Sequence, residues 1–192
     1  RFKIFARLDF EHAKSNTLIY GQPLFTADSH LMEYLQHFLY PAELIAAKRP
    51  HRVTTILGSC VAVCLWDPHV KAGGINHYML PLWNGQGLAS PRYGNIAIEK
   101  LINKLENLGA QKQNMKAKIF GGAEVIIHTS NKLMIGQRNV EIARQMLNEH
   151  EIPIINYSTG GTFGRKILFF TDSGKVMLKY IKKANNNNAP RK

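Results

Sequence analysis

The sequence predicts a mixed α/β (α+β) fold in which mixed β-sheets carry two main helices on their outside. From about Leu39 onward, short blocks rich in β-branched residues clearly outnumber blocks with helical spacing. Strands and helices do not alternate regularly, which argues against a parallel α/β wheel. A chain of 192 residues that is 45% hydrophobic can bury one good core, so one main domain is expected.

The first predicted strands flank a short turn. One strand covers residues 52–57, the next 61–66, and the break between them contains Gly58-Ser59. A third strand is predicted over residues 74–80 and stops at Pro81. The turn formers between Pro81 and Tyr93 predict a long loop that could act as a lid or binding loop.

The later elements are two helices and four strands. Apolar residues at helical spacing predict a helix over 98–108, capped by Gly109, and a second helix over 139–150. Further strands are predicted over 117–120, 152–156, 166–170 and 175–181, the last two joined by a hairpin turn. The expected organisation is an N-terminal extension of unclear role (1–38, with a short helix over 29–38), a domain (39–182) and a disordered basic tail (183–192).

Net charge and the length of apolar runs indicate which partners and which cellular compartment to expect. The formal charge of +12 favours an acidic partner: nucleic acid, an anionic membrane surface or an acidic protein. Eight basic residues fall from Arg165 to the C-terminus, however, and a solvated strand and tail would also explain them. No apolar run could span a bilayer of roughly 30 Å or form a signal-peptide core, so a cytoplasmic protein without direct membrane insertion is expected.

Cys60 is the candidate nucleophile. It follows the Gly58-Ser59 turn between two apolar strands, which can present a thiol at the rim of a sheet. Backbone N–H groups near Ser59 and Cys60 could bind an oxyanion there. The alternative is that Cys60, like Cys64, is a small buried hydrophobic residue with a free thiol.

His77 is the best partner for that thiol. A cysteine needs a neighbouring imidazole or positive dipole to ionise at neutral pH, and His77 lies close to Gly73-Gly74, where another segment could approach. The alternative is a structural histidine satisfied by a backbone hydrogen bond. Thr54 could orient the imidazole, although alternation points Thr54 and Thr55 to opposite faces, so only one can serve.

A metal site is the alternative use of the cysteines and histidines in this stretch. Cys60, Cys64, His69 and His77 lie close in the sequence, but their spacing in an apolar, strand-like stretch is poor for zinc. The sequence therefore predicts no metal and no cofactor. A nucleic-acid-binding role is also disfavoured, because basic and aromatic residues are not interleaved along one element.

Several segments, in order, resemble the CheD family of chemoreceptor glutamine deamidases. They are Thr54 six residues before Cys60 in Leu-Gly-Ser-Cys-Val-Ala-Val, the segments 73–81, 92–95, 118–122 and 135–141, and Gly160-Gly161 with Arg165 after it. The chain departs from the family in three places: the first 38 residues match no part of the family pattern, Ala42 replaces a glycine, and Tyr157-Ser158-Thr159 stands where an acidic residue is common.

The resemblance implies a fold, a site and partners. The fold would be a layered α/β/β sandwich similar to bacterial deamidase toxins, and the triad would be Cys60, His77 and Thr54. The substrates would be glutamines on methyl-accepting chemotaxis receptors. A methyl ester of glutamate presents a similar acyl centre, so some methylesterase activity is also expected. The resemblance also implies binding to the chemotaxis phosphatase CheC, so a non-catalytic adaptor that regulates CheC is the alternative function.

Overall fold

The computed structural model describes residues 3–5, 33–124 and 134–181. The expected disordered tail (183–192) and most of the N-terminal extension lie outside these ranges. Within them, the chain folds into two five-stranded sheets and two α-helices. No helix among the described residues is long and apolar enough to cross a membrane.

Each sheet is mixed, as the sequence predicts. Sheet 1 has the order β1-β10-β9-β4-β2 and contains β1 (Lys3–Phe5), β10 (Val176–Ile181), β9 (Gly164–Phe170), β4 (His51–Leu57) and β2 (Leu35–Phe38). Sheet 2 has the order β3-β6-β5-β7-β8 and contains β3 (Leu44–Ala47), β6 (Ala72–Asn76), β5 (Val61–Asp67), β7 (Lys116–Gly121) and β8 (Ile154–Thr159). One pair in each sheet, β2–β4 and β7–β8, is parallel, and the others are antiparallel.

The two helices lie on sheet 2. Helix α1 (Gly94–Asn107) packs against β6 and β3, and α2 (Ile135–Glu149) packs against β7 and β5. A single 3-10 turn, Lys112–Asn114, leads from α1 into β7. One apolar cluster fills the space between the helices and sheet 2, and a second fills the space between the sheets. The layers are therefore α/β/β, as expected.

Strand β5 lies at the centre of both clusters. Val61, Val63 and Leu65 face the helices, whereas Ala62 and Cys64 face sheet 1. A strand covered on both faces is expected to be apolar throughout, which explains the unbroken run Val61–Leu65. The alternation also fixes which neighbouring residues point between the sheets.

Two predicted elements differ in the structure. The predicted helix over 29–38 is wrong at Leu35–Phe38, which pairs as a parallel strand with β4, so tertiary pairing outweighs the local pattern. The predicted strand over 74–80 ends at Asn76 and continues only as single bridges, Val61 to Tyr78 and Leu80 to Tyr93. Both β1 and β2 lie within the stretch assigned to an N-terminal extension, and both belong to sheet 1.

Candidate active site

Cys60 lies where the chain crosses from one sheet to the other. Strand β4 belongs to sheet 1 and β5 to sheet 2, so residues Gly58, Ser59 and Cys60 form the connection between the layers. The carbonyl of Cys60 accepts from the N–H of Gly122 at 2.9 Å, which joins this connection to the end of β7. The Cys60 side chain is only half-buried and packs against the cluster between the sheets.

His77 follows β6 and is 2% exposed. Its N–H donates to the carbonyl of Glu43 at 2.9 Å, and its own carbonyl accepts from the N–H of Ala42 at 2.7 Å. Ala42 adopts the left-handed region, with φ of 68°, to make this contact. The histidine backbone is therefore held from both sides by the segment preceding β3.

Strand register brings Cys60 and His77 to the same face of sheet 2. Val61 and Tyr78 form an antiparallel bridge with both backbone hydrogen bonds, and both side chains face the helices. The residues before them, Cys60 and His77, therefore face sheet 1. They are diagonal neighbours across the pair, a relation that places Cα atoms about 7–8 Å apart and side chains on one face.

A chain of two hydrogen bonds orients the imidazole. The Thr55 hydroxyl donates to the carbonyl of Leu39 at 2.8 Å, and the same oxygen lies 2.8 Å from Nδ1 of His77. A hydroxyl has one proton, so Thr55 Oγ1 accepts from Nδ1–H. The proton therefore resides on Nδ1, and Nε2 carries the free lone pair.

Nε2 of His77 is the atom available for proton transfer. It is buried and has no hydrogen-bond partner within the described ranges. It therefore makes no hydrogen bond to the Cys60 sulfur in this structure. Hydrogen bonds between catalytic groups are often long in unliganded proteins and tighten only with substrate. The orientation set by Thr55 thus leaves Nε2 free on the face that it shares with Cys60.

The hydroxyl beside His77 belongs to Thr55 and not to Thr54, which the sequence placed in this role. Thr55 is fully buried between the sheets, while Thr54 alternates to the outer face of β4 and is half-buried there. On β4, Thr54 pairs with Leu168 on one side and Phe38 on the other. The structure brings Thr54 into no contact with His77, because successive strand residues point to opposite faces.

Burial keeps both the Cys60 thiol and the His77 imidazole uncharged. Burial raises the pKa of the Cys60 thiol, an effect that its own backbone N–H partly offsets. Burial also lowers the pKa of His77 to about 4, against smaller raising effects of the Leu39 carbonyl and Glu43. At neutral pH the pair is a thiol and a neutral imidazole, so His77 can act as a general base toward sulfur.

Comparison with known proteins identifies the family. Residues 79–180 match the family model described as "CheD chemotactic sensory transduction". A "Probable chemoreceptor glutamine deamidase CheD" of Sulfurimonas denitrificans is 49% identical over 79% of this chain and 98% of its own length. This chain belongs to the CheD family.

Other relatives agree. A "Probable chemoreceptor glutamine deamidase CheD" of Trichlorobacter lovleyi is 45% identical over 78% of this chain and 93% of its own length. "Probable chemoreceptor glutamine deamidase CheD 1" of Anaeromyxobacter dehalogenans is 37% identical over 76% and 85%. Among solved structures, the Bacillus licheniformis hypothetical protein YfiH matches with a TM-score of 0.44 and 17% identity over 71% of this chain and 60% of that one.

In this member of the CheD family, the turn before β5 leaves backbone donors unused. The carbonyls of Gly58 and Cys60 accept from Ala123 and Gly122. The N–H groups of Ser59 and Cys60, in contrast, donate to no backbone carbonyl in the part of the chain that the structure describes. That these N–H groups bind an oxyanion beside the Cys60 sulfur stays a prediction from the sequence.

The remaining candidate ligands do not converge. Cys64 is buried between the sheets, and His69 lies exposed in the turn after β5. Across residues 3–5, 33–124 and 134–181, no three His, Cys, Asp or Glu side chains are grouped so that they could hold a metal ion. A cleft of about 320 Å³ is lined by Gly122, Val140, Arg144 and the Gly160–Gly161 turn, among others. Neither Cys60 nor His77 lines this cleft.

The departure from the family before Gly160-Gly161 has a local counterpart. Ser158 Oγ accepts from Nε of Arg165 at 3.1 Å, and the other guanidinium nitrogens donate to the carbonyls of Phe163 and Gly160. Arg165 is only 3% exposed. Its side-chain partner here is the neutral hydroxyl of Ser158, in the segment where the family commonly has an acidic residue. These contacts hold the glycine turn.

Sequence reasoning missed two residues of the site. The sequence favours Thr54, although alternation leaves its neighbour Thr55 equally open. Asn139 enters the sequence analysis only as the start of a predicted helix and as part of the resembling segment 135–141, yet its side chain donates to the carbonyls of both Ser59 and Met79. A polar residue on the buried face of a predicted helix was the available signal.

Proposed function

We propose that this protein is a cytoplasmic chemoreceptor glutamine deamidase. It hydrolyses side-chain amides of glutamines on methyl-accepting chemotaxis receptors and releases ammonia. The observation that carries the proposal is the orientation of His77 by Thr55, which leaves Nε2 free on the face where Cys60 lies. The names of the CheD relatives support the same activity and substrate.

The first half-reaction forms a thioester. As Cys60 Sγ attacks the carboxamide carbon, its proton passes to Nε2 of His77. The N–H groups of Ser59 and Cys60 stabilise the oxyanion of the tetrahedral intermediate. The imidazolium then donates the proton to the departing nitrogen, the C–N bond breaks, and ammonia leaves.

The second half-reaction restores the enzyme. Nε2 of His77 takes a proton from water as the water oxygen attacks the thioester carbon. The C–S bond breaks, sulfur regains the proton from the imidazolium, and the product is glutamate. Thr55 touches neither substrate nor sulfur in this scheme, and we assign it the orienting role expected of Thr54.

Two finer activities follow from the same site and from the resemblance. A glutamate methyl ester presents a similar acyl carbon, so we propose a minor methylesterase activity through the same thioester. We also propose that CheC binds this protein, as the resemblance implies. The adaptor alternative would need this binding but no thiol, so a Cys60→Ala variant that fully restored chemotaxis would favour it.

The net charge of +12 supports a receptor as substrate if the modified helices are rich in glutamate. Attraction of this kind extends over a Debye length of roughly 8–10 Å and weakens with added salt. Initial rates on a receptor fragment should therefore fall as ionic strength rises.

The direct test is mass spectrometry of a glutamine-bearing receptor helix after incubation with the protein. The wild type should produce the mass increase of a Gln-to-Glu conversion together with ammonia, and Cys60→Ala should produce neither. Cys64→Ala is the matched control, because this second thiol lies on β5, four residues beyond Cys60, and is only 1% exposed, so a substrate cannot reach it. Conversion by Cys60→Ala at the wild-type rate would refute the proposal.

A further inference from the structure

The side chain of Asn139 joins the two segments that carry the reacting groups. Its Nδ2 donates to the carbonyl of Ser59 at 3.0 Å and to the carbonyl of Met79 at 2.9 Å. Ser59 immediately precedes Cys60, and Met79 lies two residues beyond His77. One amide group therefore spans the gap between the nucleophile segment and the imidazole segment.

A third contact fixes Asn139 itself. The hydroxyl of Tyr78, the residue after His77, donates to the backbone carbonyl of Asn139 at 2.5 Å. Tyr78 and Asn139 are both fully buried. Helix α2 thus contacts the His77 segment through two hydrogen bonds and the Cys60 segment through one, all at a single residue.

The Asn139 amide contacts both segments through its NH₂ group and not through its oxygen. Both partners are carbonyl oxygens, so only the NH₂ half can face them. The Oδ1 atom is buried and has no partner within the described residues, an arrangement that costs free energy. The buried amide is therefore held by its two donated bonds, and an apolar residue of similar size could not replace them.

Close packing of α2 against the end of β7 restricts movement of the helix relative to the Cys60 segment. Gly122, whose N–H donates to the Cys60 carbonyl, lies so near α2 that a Cβ there would come within 2.7 Å of the Gly136 carbonyl. Contacts that tight restrict sliding of the helix relative to the nucleophile segment. The position of Asn139 is therefore transmitted to both segments.

We propose that Asn139 is a positioning residue that sets the separation of Cys60 and His77. Its two donated hydrogen bonds hold the carbonyls of Ser59 and Met79 at one distance, which keeps Nε2 within reach of the sulfur as the attack begins. Asn139 touches neither substrate nor reacting atoms. The consequence for turnover rests on the proposed function, whereas the consequence for the thiol does not.

The test compares three substitutions with a structural control. Asn139→Ala removes both donors, Asn139→Asp keeps the shape without donors at neutral pH, and Asn139→Ser keeps one donor. Leu147→Val is the control, since Leu147 is a buried α2 residue two turns away, roughly 12 Å along the helix. Thermal melts rank the loss of stability in each variant.

Alkylation of Cys60 by iodoacetamide is the first readout. With Asn139→Ala, the rate at neutral pH should fall about tenfold, because the imidazole no longer assists the thiol. The rate at alkaline pH, where the thiol ionises unaided, should stay within about twofold of the wild type. Leu147→Val should lose stability while keeping the wild-type profile, and Cys60→Ala gives the background.

Deamidation is the second readout. The kcat of Asn139→Ala should fall by up to about a hundredfold with little change in KM, as expected for misplacement by about 1 Å. Asn139→Ser should lie between the wild type and Asn139→Asp. A folded Asn139→Ala with the kcat and alkylation profile of Leu147→Val overturns the inference.

The remaining outcomes are also decisive. If Asn139→Ala does not fold, the Ser and Asp variants decide, and equal neutral-pH alkylation rates in those two overturn the positioning role. If the wild type alkylates as described but releases no ammonia from receptor glutamines, the proposed function fails while the positioning role stands on the alkylation profile alone.

Discussion

The hydroxyl of Thr55 lies 2.8 Å from Nδ1 of His77, and it donates its own proton to the carbonyl of Leu39. The direction of this chain of hydrogen bonds determines the tautomer of the imidazole. The Thr55 hydroxyl and the Leu39 carbonyl, both neutral, are therefore sufficient to place the imidazole lone pair on Nε2, and no carboxylate is needed. The first prediction tests that relationship directly.

Thr55→Val should lower kcat by about ten- to a hundredfold, because a methyl group cannot accept from Nδ1–H and the tautomer is no longer selected. It should also lower the free energy of unfolding by about 1–3 kcal/mol, since buried polar partners lose their hydrogen bonds. Steady-state deamidation and urea unfolding measure the two effects. Thr54→Val is the matched control on the other face of β4, and a larger loss of kcat in Thr54→Val than in Thr55→Val would contradict the assignment.

The neutral state of the Cys60–His77 pair predicts a particular pH profile. Because burial raises the pKa of Cys60, its alkylation rate should keep rising above neutral pH instead of reaching a plateau there. Deamidation should fall as the pH drops through about 4, where His77 becomes protonated and can no longer act as a base. A thiolate plateau below neutral pH would show that sulfur and imidazole exist as an ion pair.

His77 should also make stability depend on pH. Its pKa is 6.5 in an unfolded chain and about 4 in the folded protein, so the unfolded state binds more protons between these values. The contribution of His77 is favourable above about pH 6.5 and is lost as the pH falls toward 4, by roughly 3 kcal/mol in total. Urea unfolding at several pH values should show this slope in the wild type and a weaker one in His77→Gln. Equal slopes in the two proteins would mean that His77 is not neutral and buried.

Ala42 offers a substitution that should stabilise the protein. Its φ of 68° is unfavourable for a residue with a Cβ, and its N–H donates to the carbonyl of His77. Ala42→Gly, which introduces the residue seen in the resembling family motif, should raise the free energy of unfolding by about 1 kcal/mol. Thermal unfolding measures the change, and a lower melting temperature would contradict it. Glu43→Gln is a control that changes a neighbouring side chain without relieving backbone strain.

Local patterns in the sequence were sufficient for much of the fold. Apolar residues at helical spacing predicted α1 and α2 within a few residues, and β-branched blocks predicted β4, β5, β9 and β10. These signals are local, because burial of one face or of both faces leaves a period in the chain itself. Short edge strands such as β2 and β3 leave no comparable period, since long-range pairing holds them in place.

By itself, the sequence determined the candidates for the chemistry: a thiol after a Gly-Ser turn, an imidazole in a later strand, and a threonine one strand earlier. Only the tertiary structure decided between Thr54 and Thr55 and brought in Asn139. Alternation states that adjacent residues point to opposite faces, but it does not state which face meets the other sheet. That choice depends on how β4 packs across β5 and β6, and on where α2 docks, which are contacts between residues far apart in the chain.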